Sequence, residues 1–150
     1  MSLNTRALRW ERFFQDHACL AAGMSRDSTQ VGAALVDLRT RTVVATGFNG
    51  PPRGVEDLPE RLERPGKYLW ASHAEANVIA HCASLGIRTE GRVLYVTHQP
   101  CAACARTIIQ AGIGAVHFGR GTTSMPGVEF EVARTMIREA SVDLRPWEAR

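Results

Sequence analysis

The sequence predicts an α/β protein, a largely parallel sheet covered by helices on both faces. Two observations lead there. After an initial hairpin pattern, short runs rich in Val, Leu and Ile alternate with segments of helical period, which is the order that strand–helix–strand crossovers require. The 150 residues, 45% hydrophobic and 22% charged, suit one globular domain that can bury a core, so residues 1–150 are expected to form a single unit.

Each element follows from its pattern. Residues 5–22 carry Leu8, Phe13, Phe14, His17, Leu20 and Ala21 at helical spacing, an amphipathic first helix. Val31–Val36 reads as a buried strand, residues 37–41 as a polar connection, and Thr42–Phe48 as the hairpin partner. Residues 49–71 hold four of the seven prolines and many charges, and are expected to form a long loop of the kind that carries function. His73–Leu85 is a second helix stopped near Gly86, Arg92–Thr97 a third strand, and Cys101–Ala111 a third helix closed by Gly112. Ile113–Phe118 is a fourth strand. The stretch from Gly119 to Gly127 is a loop with a place in an active-site rim open to it. Residues 127–140 make a fourth helix and Val142–Leu144 a short fifth strand.

Composition narrows the function classes. No apolar run approaches the roughly 20 residues that span a bilayer, and the first 14 residues lack the apolar core of a signal peptide, so a cytoplasmic protein without membrane contact is expected. The net charge is +3, and 17 of the 18 basic residues are arginines scattered among acids; no long nucleic acid is expected as partner. Cysteines at 19, 82, 101 and 104 do not make a disulfide framework in a chain of this length. A close pair such as Cys101 and Cys104 reads instead as a metal or redox site. Cys19, Cys82, His17 and His81 fall within helical patterns and are read as structural.

Two segments carry chemistry, Ser72-His73-Ala74-Glu75 and Pro100-Cys101-Ala102-Ala103-Cys104, each expected at the start of a helix. A helix N-terminus favours negative charge and so favours thiolates. Cys101 and Cys104, three residues apart, share one helix face, and Pro100 suits a first turn. His73 at the head of the other helix can supply a third donor. Three protein donors leave one tetrahedral position open, the property that separates catalytic zinc (Zn2+) from structural zinc. Glu75, two residues beyond His73, is placed to take a proton from water and pass it on. Other readings stand beside these. Ser72-x-x-Glu75 also fits a capping box, C-x-x-C alone also fits a redox pair, and a closed structural site would draw a fourth donor from Cys19, Cys82, His81 or His98.

The combination H-x-E then P-C-x-x-C resembles the signature of zinc-dependent nucleobase deaminases. The likeness runs further. Gly47-Phe-Asn-Gly-Pro-Pro-Arg-Gly54, Lys67-Tyr-Leu-Trp-Ala-Ser-His-Ala-Glu75, Leu94-Tyr-Val-Thr97 and Ile108-Ile-Gln-Ala-Gly112 are similar to segments of the deoxycytidylate deaminase branch of the cytidine deaminase superfamily, over about residues 30–118. The resemblance implies a three-layer α/β/α cytidine deaminase-like sandwich with a mixed five-stranded sheet. It implies one catalytic zinc held by His73, Cys101 and Cys104, Glu75 as the proton-moving residue, a homo-oligomer (dimer to hexamer), and hydrolytic conversion of dCMP to dUMP with release of ammonia. Asn49 falls where the family holds sugar or base, and reads equally as a turn residue. Arg53 is a candidate for the phosphate or a solvated loop arginine, and Trp70 either walls the base pocket or packs on the sheet. A free nucleoside or nucleobase (cytosine, guanine or a modified base) as substrate, and a non-catalytic zinc-binding module, remain the alternatives. Gln99 departs from the pattern, standing where an aromatic residue often precedes P-C-x-x-C. Residues 55–66 lack a Cys/His cluster, so no second, structural zinc is expected. The last 30 residues resemble nothing specific.

Overall fold

The computed structural model describes residues 4–148; residues 1–3 and 149–150 of the expected 1–150 unit lie outside the described residues. The elements run α1 (Thr5–Ala22), β1 (Gly32–Asp37), β2 (Thr42–Phe48), α2 (Pro59–Leu62), α3 (Lys67–Trp70), α4 (Ala74–Leu85), β3 (Val93–His98), α5 (Ala102–Gln110), β4 (Ala115–Gly121), α6 (Gly127–Glu139) and β5 (Asp143–Pro146). The sheet order is β2-β1-β3-β4-β5. β1 is antiparallel to both β2 and β3, whereas β3, β4 and β5 are parallel, so four strands share one direction and β1 alone is reversed. The sheet is therefore mixed and five-stranded, as expected.

The alternation of side chains along a strand assigns the two layers. Ala33, Leu35, Leu94 and Val96 face α4 and α5, packing with Ala74, Val78, Cys82 and Ile108. Ala34, Val36, Val93 and Tyr95 face the other way, onto Phe14 and Ala18 of α1. α6 packs on α5 through Ala105, Ala133 and Ile137. One helix thus covers one face of the sheet and three cover the other.

Residues 49–71 are more ordered than the expected loop. Pro59 opens α2, where its missing N–H leaves nothing unpaired, and α3 forms one further turn. The stretch is closed at its base by a backbone bridge between Gly50 and Ser72, with N···O distances of 3.1 and 2.8 Å. That bridge sets Asn49 beside His73. Behind it, Gly47 lets β2 lie directly on α4: a Cβ there would sit 2.7 Å from Val78 N and 2.8 Å from Ala74 O.

Candidate metal centre and active site

The two motif-bearing helices begin side by side. His73 is the N-cap of α4 and Cys101 the N-cap of α5, each with extended backbone and neither using its side chain to cap the helix. Both side chains are therefore released toward the gap between the helix starts. The Nδ1 atom of His73 lies 3.4 Å from Cys101 Sγ and 3.3 Å from Cys104 Sγ, and the three donor atoms all lie within 4.8 Å of one another. Zinc bonds sulfur at about 2.3 Å and imidazole nitrogen at about 2.0–2.1 Å, so tetrahedral angles put S and N donors about 3.5 Å apart. The donor set and its spacing fit zinc.

Electrostatics at this spot are those of donors held together. The hydrogen bond from Cys104, joined by His73, brings the Cys101 thiol down to about 4, and the same bond together with burial pushes Cys104 up. The bond to Cys101 in turn holds the His73 imidazole above its ordinary value. Glu75 is 4% exposed, its Oε2 atom 3.6 Å from Cys104 Sγ, and burial pushes its carboxyl up to about 7. A carboxyl in that range holds or releases a proton near neutrality. The capping-box reading of Glu75 is not what forms: the N-cap is His73 rather than Ser72, and the carboxylate turns toward Cys104.

None of the residues named as a possible fourth donor joins the three-donor group. Cys82 is in the core beneath α4, Cys19 is exposed on α1, His81 bonds Thr46 O at 2.8 Å, and His98 bonds Thr97 Oγ1 at 2.8 Å. Among the described residues, His73, Cys101 and Cys104 are the group of three that could hold a metal.

A cavity opens over this cluster. Its floor is His73, Ala74, Glu75 and Cys101, one wall is Val31 and Asn49, and another is His98 and Gln99. Asn49 is buried with its amide engaged: Oδ1 accepts from Val31 N at 2.9 Å and Nδ2 donates to Thr29 O at 2.8 Å. It therefore shapes the wall as well as facing the cavity. Arg53 and Trp70 stand apart. Arg53 lines a separate groove with Pro51, Pro52 and Val55. Trp70 is 42% exposed, neither among the residues lining the cavity nor packed on the sheet, and the Arg61 guanidinium lies 3.9 Å from its ring centroid.

Asp27, Thr29 and Arg64 at the mouth escaped the sequence reading, Tyr68 entered it only within the Lys67–Glu75 segment, and Thr123 and Ser124 lie in the Gly119–Gly127 stretch left open to an active-site rim. Arg64 donates from Nε to Tyr68 Oη at 2.9 Å and from Nη2 to Thr29 Oγ1 at 3.2 Å. Lys67, the chain's lone lysine, is 7% exposed and ion-paired with Asp27 at 2.7 Å. A single lysine among 17 arginines was the available signal, since only a specific buried pairing distinguishes it from its neighbours.

Residues 8–120 match the family described as the cytidine and deoxycytidylate deaminase zinc-binding region. The chain belongs to that family. Zinc is accordingly its cofactor, and the group of His73, Cys101 and Cys104 is positioned to hold it. An uncharacterized deaminase of Aliivibrio fischeri, from the luxG 3′ region, is 38% identical over 140 residues, covering 91% of this chain and 92% of that one. The deoxycytidylate deaminase of Mus musculus is 37% identical over 145 residues, 92% of this chain and 79% of the mouse protein. Among solved structures, the dCMP deaminase of cyanophage S-TIM5 in complex with dCMP and dUMP superposes with a TM-score of 0.74 at 22% identity, over 97% of this chain and 99% of that one. That likeness bears on the fold, a three-layer α/β/α sandwich of the cytidine deaminase type.

Proposed function

We propose that the protein is a zinc-dependent hydrolytic deaminase that converts dCMP to dUMP and releases ammonia. The observation that carries this reading is the buried Glu75 carboxyl beside an open three-donor cluster at the floor of a cavity. The deoxycytidylate deaminases among its relatives support the nucleotide as substrate.

In this reading His73, Cys101 and Cys104 hold the metal, with Cys101 and Cys104 as thiolates favoured by the start of α5. Bound zinc acidifies a water molecule and so supplies a nucleophile at neutral pH. Glu75 would take one proton from the attacking water and hand it to N3 of the cytosine ring, then take the remaining proton of the hydroxyl added at C4 and hand it to the amine, which leaves as ammonia while the carbonyl forms. Its burial suits this work, because burial raises the carboxyl toward the range in which it can give a proton as well as take one. Asn49 and the Val31 segment wall the sugar side.

For the phosphate, Arg64 takes the place first given to Arg53. It stands at the mouth with Tyr68, Thr29 and Ser124 hydroxyls around it, and a guanidinium grips phosphate through its planar fork. The substrate is then a small molecule, the working compartment a reduced cytoplasm that keeps both thiols available, and the assembly a homo-oligomer of a single-domain chain.

Glu75→Gln tests the proton role. It should keep its zinc and lose turnover by 100-fold or more, on the order of what general acid–base groups supply; undiminished ammonia release sinks the assignment. A panel of dCMP, CMP, deoxycytidine, cytosine and guanine tests the substrate. Arg64→Met should raise KM for dCMP about tenfold and leave deoxycytidine unaffected. Faster turnover of deoxycytidine or a free base than of dCMP by the wild-type protein refutes the nucleotide reading.

A further inference from the structure

The family match ends at residue 120, yet α6, which follows it, reaches back to the metal loop at two points. Glu129 in the first turn of α6 accepts from the backbone N–H of Ala102 at 3.2 Å. That N–H is in the first turn of α5, where helix donors have no partner of their own. One turn further on, Arg134 Nη1 donates to Gln99 Oε1 at 3.2 Å, and Gln99 Nε2 donates to the Phe130 carbonyl, also at 3.2 Å. Both Glu129 and Arg134 are half-buried, and Ala133 and Ile137 fix the helix on α5 through Ala105.

Cys101 lies between the two anchored positions, one residue before Ala102 and two after Gln99. Gln99 itself lines the active-site cavity. The Gln99 side chain is a flexible amide, and Arg134 with the Phe130 carbonyl occupies both ends of it. We infer that Glu129 and Arg134 are positioning residues: Glu129 sets the Cys101 donor through the α5 terminus, and Arg134 sets the cavity wall through Gln99. The inference rests on Cys101 being a zinc ligand.

The two anchors give separable signatures. Glu129→Ala should speed zinc release to a chelator on the order of tenfold, the scale seen when partners supporting metal ligands are removed, and lower kcat with little change in KM. Glu129→Gln, which keeps a carbonyl acceptor in reach of Ala102, should recover most of the zinc retention. Arg134→Met keeps the side chain's apolar length and frees Gln99, so it should raise KM several-fold with zinc release near wild type. Val132→Ala on the exposed face of α6 serves as the control for helix stability and should match wild type in all three readouts. If Glu129→Ala and Arg134→Met change the melting temperature alone, with wild-type zinc release, kcat and KM, α6 is packing only and the inference is overturned. Wild-type protein that holds no zinc overturns the reading of the site itself.

Discussion

At the scale of single residues, the buried pair of Lys67 and Asp27 lines the cavity. Their side chains are 8% and 2% exposed, and Asp27 Oδ1 also accepts from Thr29 N at 2.8 Å, so the pair ties α3 to the segment that precedes β1. Removing one member leaves the other charged, buried and unmatched. Lys67→Met should destabilise the fold by about 3–5 kcal/mol in urea titrations, and adding Asp27→Asn should restore part of the loss. A single variant within 1 kcal/mol of wild type would contradict this account. The grouping of His73, Cys101 and Cys104 with Glu75 beside them was legible in the sequence because those residues stand at fixed spacings on helix starts. The arginine at the cavity mouth was not: Arg53 and Arg64 are alike as letters, and only the return of the chain through α2 and α3 brings Arg64 there.

At the scale of elements, the site depends on how closely two of them approach. β2 and α4 touch backbone to backbone at Gly47, and α4 carries His73 and Glu75 at its start. Gly47→Ala should cost about 1–3 kcal/mol by overpacking and displace the start of α4, weakening zinc retention along with stability. Chemical denaturation paired with zinc analysis checks it; an alanine that leaves both unchanged would mean the helix can slide freely. Element order and type were readable from periodicity, including the hairpin and the crossovers. Residues 49–71 were not, because α2 and α3 are single turns held by tertiary partners, and such short pieces leave no periodic trace.

At the scale of the molecule, the two faces of the sheet carry different tasks. The α4–α5 face builds the site, while the α1 face holds a polar knot: Tyr95 Oη donates to Glu11 Oε1 at 2.8 Å, and His117 Nδ1 lies 3.6 Å from Glu11 Oε2. Burial acts to raise the Glu11 carboxyl, but the bonds from His117 and Tyr95 together outweigh it and hold the group below its ordinary 4.5. A carboxyl depressed in the folded state adds stability that is present above about pH 4.5 and is lost as the pH falls through the folded value. The stability gap between wild type and Glu11→Gln should therefore narrow steadily below pH 4.5 in urea titrations; a gap that stays constant down to pH 3 would show that Glu11 is not held this way. The sheet's mixed character was expected from family resemblance. The reversal of β1 between two strands of opposite run is what periodicity alone could not supply, since a strand's pattern carries no direction.

Lys67 has one more consequence. It offers the chain's only side-chain amine, and the folded protein closes that amine off with Asp27. An amine-reactive ester added to intact protein should leave Lys67 unlabelled, and the slow appearance of label there would clock the opening of the segment over the active site. The lone lysine thus becomes a built-in reporter of breathing at the cavity mouth, readable by mass spectrometry without altering a residue.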